Sequence, residues 1–425
     1  MPDNEFAAGI SPALFDTRGE FARDLPLDLI AAWRTADQDP AAARSLLRPY
    51  LATGTVVVSD SAGLTHLALC REPLEVMALI NRPKELVYEY GAAIGGRGLG
   101  VWAADNTEMF YPEEVPCDRI ASMLLAVQDR IRAECEVQIG LAAHYGSFYL
   151  VGNSVYGPEA VAIETMAEDR TVGGEIVFTA TAWERVQGAG PDCQAAFQAL
   201  ARCEAPGDPV DGYRVLDGPR PAAWNPTQPA PDYPLPFSAA FHTCLQEFYQ
   251  HQNLELLRQQ VYENFARTCT VLLTEREAIS SDVAAIEILM EMERSAVAGT
   301  LGALLLGAGS GTEVKTAGSL SIYLFETTYD AWIFADRLRH NLQAEGIRTR
   351  SGIATGEVLL FDLEAGGKDI SGVPVNMASK AAQDLGTFGN IYVLSQESPA
   401  ADRLQPVSMH IGGADRLVYV SEHTS

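Results

Sequence analysis

Basic residues are scarce in this chain of 425 residues: 30 Lys and Arg stand against 56 Asp and Glu, a formal net charge of −26. Such an excess repels phosphate backbones and anionic bilayers at long range, which argues against nucleic acid and membrane partners. A small anionic substrate is not barred, because bound divalent metal or a few local cations invert the field inside one cleft, so a triphosphate is expected to arrive with magnesium. Cysteine pairing is also lacking. The seven cysteines (Cys70, Cys117, Cys135, Cys193, Cys203, Cys244, Cys269) are odd in number, scattered and without a CxxC pair, against both a disulfide framework and a zinc knuckle, and they read as reduced core residues. No apolar run reaches the roughly 18 residues of a membrane span. The most apolar stretch, 296–309, is shorter and reads as a small-residue core helix or loop. The N-terminus shows no basic flank followed by an apolar run, so the expected compartment is the cytoplasm. GxSxG, GxxxxGK and HExxH patterns are absent as well, which leaves the enzyme classes they mark without support.

What is present suits two packed cores. Hydrophobic residues make up 47% and charged residues 20%, and the length exceeds one ordinary domain. Residues 1–50 form an N-terminal segment with helical spacing at Leu25, Leu29, Trp33, Leu46 and Leu47, closed by a turn-like Ala-Thr-Gly at 52–54 before the strand-like run Thr55 to Val58. Residues 51–217 alternate β-branched runs with helical stretches, as an α/β domain does. The proline-dense residues 218–237 read as an extended linker whose length makes pairing within one chain easy. Residues 238–265 predict one long helix, and 266–425 a second α/β domain.

Comparison of the halves decides the organisation. TVVVSD (55–60) faces TVLLTE (270–275), VWAADNTEMFY (101–111) faces KTAGSLSIYLF (315–325), and AAHYGSFYL (142–150) faces GIATGEVLL (352–360). The stretch 157–177 faces 372–392 at a constant offset of 215 residues. One unit has been duplicated.

At these residues, VVSDSAGLT, AHYGS and VYGP in the first half and VKTAGS, GIATGE and SGVPVNMASK in the second, the chain resembles the class III nucleotide cyclase catalytic domain over roughly 320 of its residues. The resemblance implies an α/β fold of the α+β, ferredoxin-like or palm type, a sheet with flanking helices, and two homologous domains as a pseudo-symmetric head-to-tail pair with one composite nucleotide site. It also implies two aspartates, Asp60 and Asp105, holding two Mg2+ or Mn2+ ions, where the second half has Glu275 and Ser319. The backbone of Ser61, Ala62, Gly63, Leu64 and Thr65 would approach phosphate oxygens. Lys315 and Asp369 would read the base, as a donor and an acceptor suited to adenine rather than guanine. Asn376 and Lys380, four apart on one helical face, would orient and stabilise the reacting phosphate. The first half has Val101, Ser154, Val161 and Thr165 there, so each half keeps what the other has lost.

The resemblance therefore implies an adenylyl cyclase, ATP to cyclic AMP and pyrophosphate, acting as a monomer or a dimer. Its departure is Lys380, where the family has arginine. A lysine lacks the planar fork, and a loss on the order of 3 kcal/mol at such a position slows turnover roughly a hundredfold. A weak or inactive homologue that binds a nucleotide or small anion as a sensor, or a cyclase for a pyrimidine triphosphate, are the alternatives. His144 reads as a structural histidine at a strand edge beside a Tyr-Gly turn, with no carboxylate to orient it. Of the remaining residues, neither His410 nor Arg416 is assigned a role.

Overall fold

The computed structural model describes residues 26–61, 67, 70–100, 102, 106–202, 211–221, 237–250, 254–307, 311–363, 367–384, 386–395, 403–411 and 414–421. The described residues fall into two compact units. One holds those from 47 to 61 and from 75 to 250; the other holds those up to Leu46, those between 65 and 74, and those from 254 onward.

Each unit is built on an eight-stranded sheet. The first runs in the order β2-β3-β1-β4-β6-β8-β7, with β5 paired to β4. Its strands are β1 (Leu51–Ser61), β2 (Arg97–Gly98), β3 (Thr107–Pro112), β4 (Ile139–Val151), β5 (Ser154–Tyr156), β6 (Ile176–Thr179), β7 (Gln198–Arg202) and β8 (Gly212–Asp217). The second repeats that order as β10-β11-β9-β12-β14-β16-β15, with β13 paired to β12. It comprises β9 (Ala266–Arg276), β10 (Thr312–Ala317), β11 (Leu320–Phe325), β12 (Thr349–Asp362), β13 (Lys368–Ser371), β14 (Ile391–Leu394), β15 (Gln405–Ile411) and β16 (Ala414–Ser421). Register repeats with topology: Val56 pairs with His144, and its counterpart Val271 with Ala354, the counterpart of His144. The duplication expected from sequence is thus a duplication of fold, and the architecture is the expected α/β sheet with flanking helices.

Both faces of each sheet are covered, which is why the central strands are apolar in runs rather than in strict alternation. Val56, Val57 and Val58 are all buried. Val57 packs with Ile120, Leu124, Val127 and Ile131 of the helix Cys117–Glu134, whose three- and four-residue spacing puts them on one stripe. Val56 and Val58 pack on the other face with Ile163 and Met166 of the helix Pro158–Arg170. In the second unit Met377 and Ala378 of the helix Val373–Ser379 play the corresponding part. That helix lies so close to β12 that a Cβ on Gly352 would collide with the Ala378 carbonyl.

Several local expectations are corrected. Ala-Thr-Gly at 52–54 is strand, not turn: β1 starts at Leu51, and Gly54 is there because a Cβ would meet the Tyr111 carbonyl on β3. The Tyr-Gly segment expected as a turn likewise lies inside β4. The helix expected over 238–265 takes the form of two segments, Ala239–Gln250 and Leu254–Phe265, and 251–253 lie outside the described residues. The helix Leu27–Thr35 packs in the second unit, where Arg34 Nη1 meets Glu293 Oε1 at 2.8 Å on the helix Ala284–Leu306. That long helix is the expected small-residue core helix. Among the described cysteines, Cys117 and Cys135 are buried, but Cys70 is exposed and Cys244 and Cys269 are half-buried. No described helix is long and apolar enough to cross a membrane.

Candidate functional site

In the second unit, Lys315 lies on β10 just past an irregularity between Glu313 and Lys315, and Asp369 lies on β13, where it pairs with Phe361 of β12. Lys315 Nζ is 2.8 Å from Asp369 Oδ1; the carboxylate is buried while the ammonium side chain is 37% exposed. The Ile370 N–H also donates to Asp369 Oδ1, at 2.8 Å. A buried carboxylate needs such partners, and the pair offers an accessible donor beside a fixed acceptor. Asp369 is thus a buried carboxylate rather than a solvated surface charge.

Directly after β13 comes the helix Val373–Ser379, entered through Gly372 at φ 147, where glycine has no Cβ to strain, and followed by a π-helical turn, Lys380–Asp384. Asn376 and Lys380 are one turn apart, joined by the Lys380 N–H donating to the Asn376 carbonyl. The Asn376 carboxamide makes no hydrogen bond among the described residues, whereas Lys380 Nζ is 3.0 Å from Asp384 Oδ2. That ion pair is half-exposed and therefore weak.

The two acid positions differ in what faces them. Glu275 sits directly opposite Arg350 across the β9–β12 ladder, and Arg350 Nε is 2.5 Å from Glu275 Oε2. Arg350 is further held by the Gly386 carbonyl at 3.0 Å and by the Phe388 ring, 4.6 Å from its guanidinium carbon. A carboxylate so neutralised makes a poor metal ligand. Next along the strand, Arg276 is buried on the opposite face, donating to Ser295 Oγ at 3.2 Å and to the Gly318 carbonyl beside Ser319; burial lowers its pKa. In the first unit, Asp60 holds the equivalent place on β1, opposite Gly140 in the β1–β4 register. Ser61 is buried, and its Oγ has no hydrogen-bond partner among the described residues. Ala62, Gly63, Leu64, Thr65, Val101 and Asp105 lie outside the described residues. Among those described, no group of three or more His, Cys, Asp or Glu forms a metal cluster.

The helix that carries Asn376 has an acidic twin. The helix Pro158–Arg170 carries an exposed Val161 where its counterpart has Asn376, and Thr165 in place of Lys380; Ser154, on β5, is half-buried. On the sheet face it covers, Glu108 of β3, whose Oε1 is buried, is pushed up to about 8 by burial and by the nearby Glu164 carboxylate. The counterpart of Glu108 in the second unit is the buried Ile322. This face holds carboxyl groups where the other presents an amide and an ammonium.

His144 is neither at a strand edge nor without a carboxylate. It lies within β4, between β1 and β6, with Nδ1 2.9 Å from Thr179 Oγ1 and Nε2 4.0 Å from Glu159 Oε1. Burial lowers its pKa, against the pull of Glu159. These contacts keep it a structural histidine. His410 pairs with Asp415 at 3.0 Å on the β15–β16 hairpin, and Arg416 Nε donates to the Ile411 carbonyl at 3.3 Å.

Sequence reasoning missed Arg350, Asp384 and Glu108. Asp384 was visible as an (i, i+4) partner of Lys380. Arg350 and Glu108 needed the strand register and the covering helix.

The sequence matches no protein-family model and no curated protein sequence. Among solved structures, the chain is similar to a class III adenylyl cyclase-like ATP-binding protein from Pseudomonas aeruginosa, at 12% identity and a TM-score of 0.51, with 81% of this chain and 84% of that one covered. Shorter matches are the adenylyl cyclase CyaB from P. aeruginosa (16% identity, TM-score 0.34, 40% of this chain and 96% of that one) and the guanylate cyclase domain of RhGC from Catenaria anguillulae in complex with GTP (19%, 0.33, 39% and 97%). The first likeness, spanning both units, establishes the fold.

Proposed function

Because the fold is that of the class III nucleotide cyclases, we propose that the chain is an adenylyl cyclase, in which acids of the first half and the polar set of the second serve one ATP. The observation that carries this reading is the Lys315–Asp369 pair at 2.8 Å with its carboxylate buried. A lysine N–H donates to a ring nitrogen of adenine and an aspartate accepts from its exocyclic amine; guanine presents the opposite pattern at those atoms. Asn376, with an uncommitted carboxamide, orients ribose and phosphate. Lys380 reaches the reacting phosphate on leaving Asp384.

The ribose 3′ hydroxyl gives up its proton to water as its oxygen attacks the α-phosphorus, a new P–O bond forms, and the bond to pyrophosphate breaks. Asp60 and Asp105 would hold Mg2+ or Mn2+, which when bound stabilises the attacking and leaving oxygens. The equivalent acid of the second half, Glu275, is tied to Arg350, which leaves the metal role to the first half. The similar Pseudomonas protein is described as ATP-binding, in keeping with this choice of nucleotide.

A second reading, nucleotide binding without useful turnover, is favoured by one observation: the cation at the phosphate position is a lysine already engaged by Asp384. Incubating the full chain with Mg2+ or Mn2+ and each of ATP, GTP, CTP and UTP, and measuring pyrophosphate and cyclic product, separates the two. Cyclic AMP from ATP supports the first reading, and binding without product supports the second. Turnover of GTP or a pyrimidine triphosphate alone overturns the base assignment. Asp60→Ala and Asn376→Ala should each abolish turnover, and wild-type activity in either removes that residue from the site.

A further inference from the structure

A cavity of about 230 Å³ opens in the second unit, lined by Arg339, Gln343, Arg348, Thr349, Phe388, Gly389 and Asn390; of these only Phe388 also touches the Arg350 contact described above. Three elements build it: the end of the helix Thr328–Ala344, the start of β12, and the loop leading to β14. In a chain of net charge −26, this lining contains two guanidiniums and no carboxylate.

Arg339 is 5% exposed and fixed from behind, by Asp336 Oδ1 at 2.5 Å and by the Gly389 and Ser421 carbonyls at 2.8 and 3.2 Å. Arg348, at the rim, is braced by both oxygens of Glu277 at 3.0 and 3.2 Å and by the Phe388 carbonyl at 3.3 Å. Both cations are therefore held in place before any ligand arrives, and their carboxylate partners stand outside the lining. Hydrogen-bonding capacity in the lining is left over. Arg339 Nε and Thr349 Oγ1 are buried and have no partner among the described residues. Arg348 Nε and the Gln343 carboxamide make no hydrogen bond there either, and Asn390 spends only its Nδ2, on the Tyr392 hydroxyl at 3.3 Å. Buried polar atoms without partners are rare in folded proteins, and fixed guanidiniums beside amides and a hydroxyl recognise oxyanions.

We propose that this cavity binds a small oxyanion, a phosphate- or carboxylate-bearing metabolite whose remainder packs against Phe388. The volume holds more than a bare ion, being several times the roughly 30 Å³ that a water occupies in the liquid.

The test is isothermal titration of the full chain with inorganic phosphate and, separately, citrate, against sodium chloride of equal ionic strength. Saturable binding of at least one probe is expected. Gln343→Glu, an exposed rim change that adds a like charge, and Arg348→Gln should each weaken it at least tenfold, while Lys380→Ala leaves it unchanged. Far-UV circular dichroism checks the fold of each variant, and Gln343→Glu carries the test if Arg348→Gln does not fold. The proposal fails if neither probe binds, or if Gln343→Glu leaves binding intact. It also fails if Lys380→Ala abolishes binding; the ion would then sit at the nucleotide-binding helix, and the proposed function would be untouched.

Discussion

Replacing Glu108 by Gln should stabilise the first unit in a way that depends on pH. Glu108 stands on β3 under the helix Pro158–Arg170, where its counterpart Ile322 is plain core, and burial beside Glu164 pushes its pKa from 4.5 up to about 8. An acid with a raised folded pKa contributes no penalty below the unfolded value, because both states are then protonated. The penalty grows as pH climbs from about 4.5 and levels off above about 8. Taking 1.36 kcal/mol per pH unit between those limits, the cost is on the order of 3 kcal/mol at pH 7 and about 5 kcal/mol on the plateau, as a ceiling. For a unit of this size about 3 kcal/mol corresponds to a melting shift of roughly 5–10 °C. Thermal unfolding of wild type and Glu108→Gln from pH 5 to 9 reads this directly: the gap should widen with pH and flatten above 8. Curves that stay parallel across that range would refute the assignment of a buried, protonated carboxyl.

Three further outcomes follow from named contacts. Glu85 accepts from His242 at 2.8 Å, Asn81 at 2.9 Å and Arg82 at 3.1 Å; burial alone would raise its pKa, but these partners outweigh it and the net shift is downward. Its contribution is therefore present above the unfolded value and lost as pH falls through the folded one. Glu85→Gln should cost about 2–4 kcal/mol at pH 7 by urea unfolding, a deficit that shrinks below about pH 4; a deficit constant with pH would contradict it. In a double-mutant cycle on Glu275→Gln and Arg350→Gln, the coupling energy should exceed about 1 kcal/mol, since the ion pair is mostly buried; near-additive effects would show the pair to be incidental. Gly352→Ala drives a Cβ into the Ala378 carbonyl and should cost about 1–3 kcal/mol. Fluorescent nucleotide analogues should bind this variant more weakly, because the displaced helix carries Asn376, and unchanged affinity would argue against that helix as the nucleotide-binding element.

The duplication and the α/β class were legible in the one-dimensional pattern, whereas Lys315 and Asp369 were brought together by the family resemblance. Strand-forming runs, glycine positions and residue spacings repeat along the chain, and local sequence encodes local geometry. Turn assignments failed at Ala-Thr-Gly 52–54 and at the Tyr-Gly segment of β4. A glycine signals either a reversal or a close approach of backbones, and only the neighbouring strand or helix says which.

Chemistry at the candidate sites was decided by residues far apart in sequence. Asp60 and Glu275 look alike as strand-end acids. Cross-strand register sets Arg350 against Glu275, and a guanidinium 2.5 Å away neutralises that carboxylate. Glu108 reads as an ordinary charged residue until a helix from 50 positions further on covers it and shifts its proton affinity. Sequence thus named the groups and their repeat; packing, by fixing distance and solvent access, determined their charge and what they are free to bind.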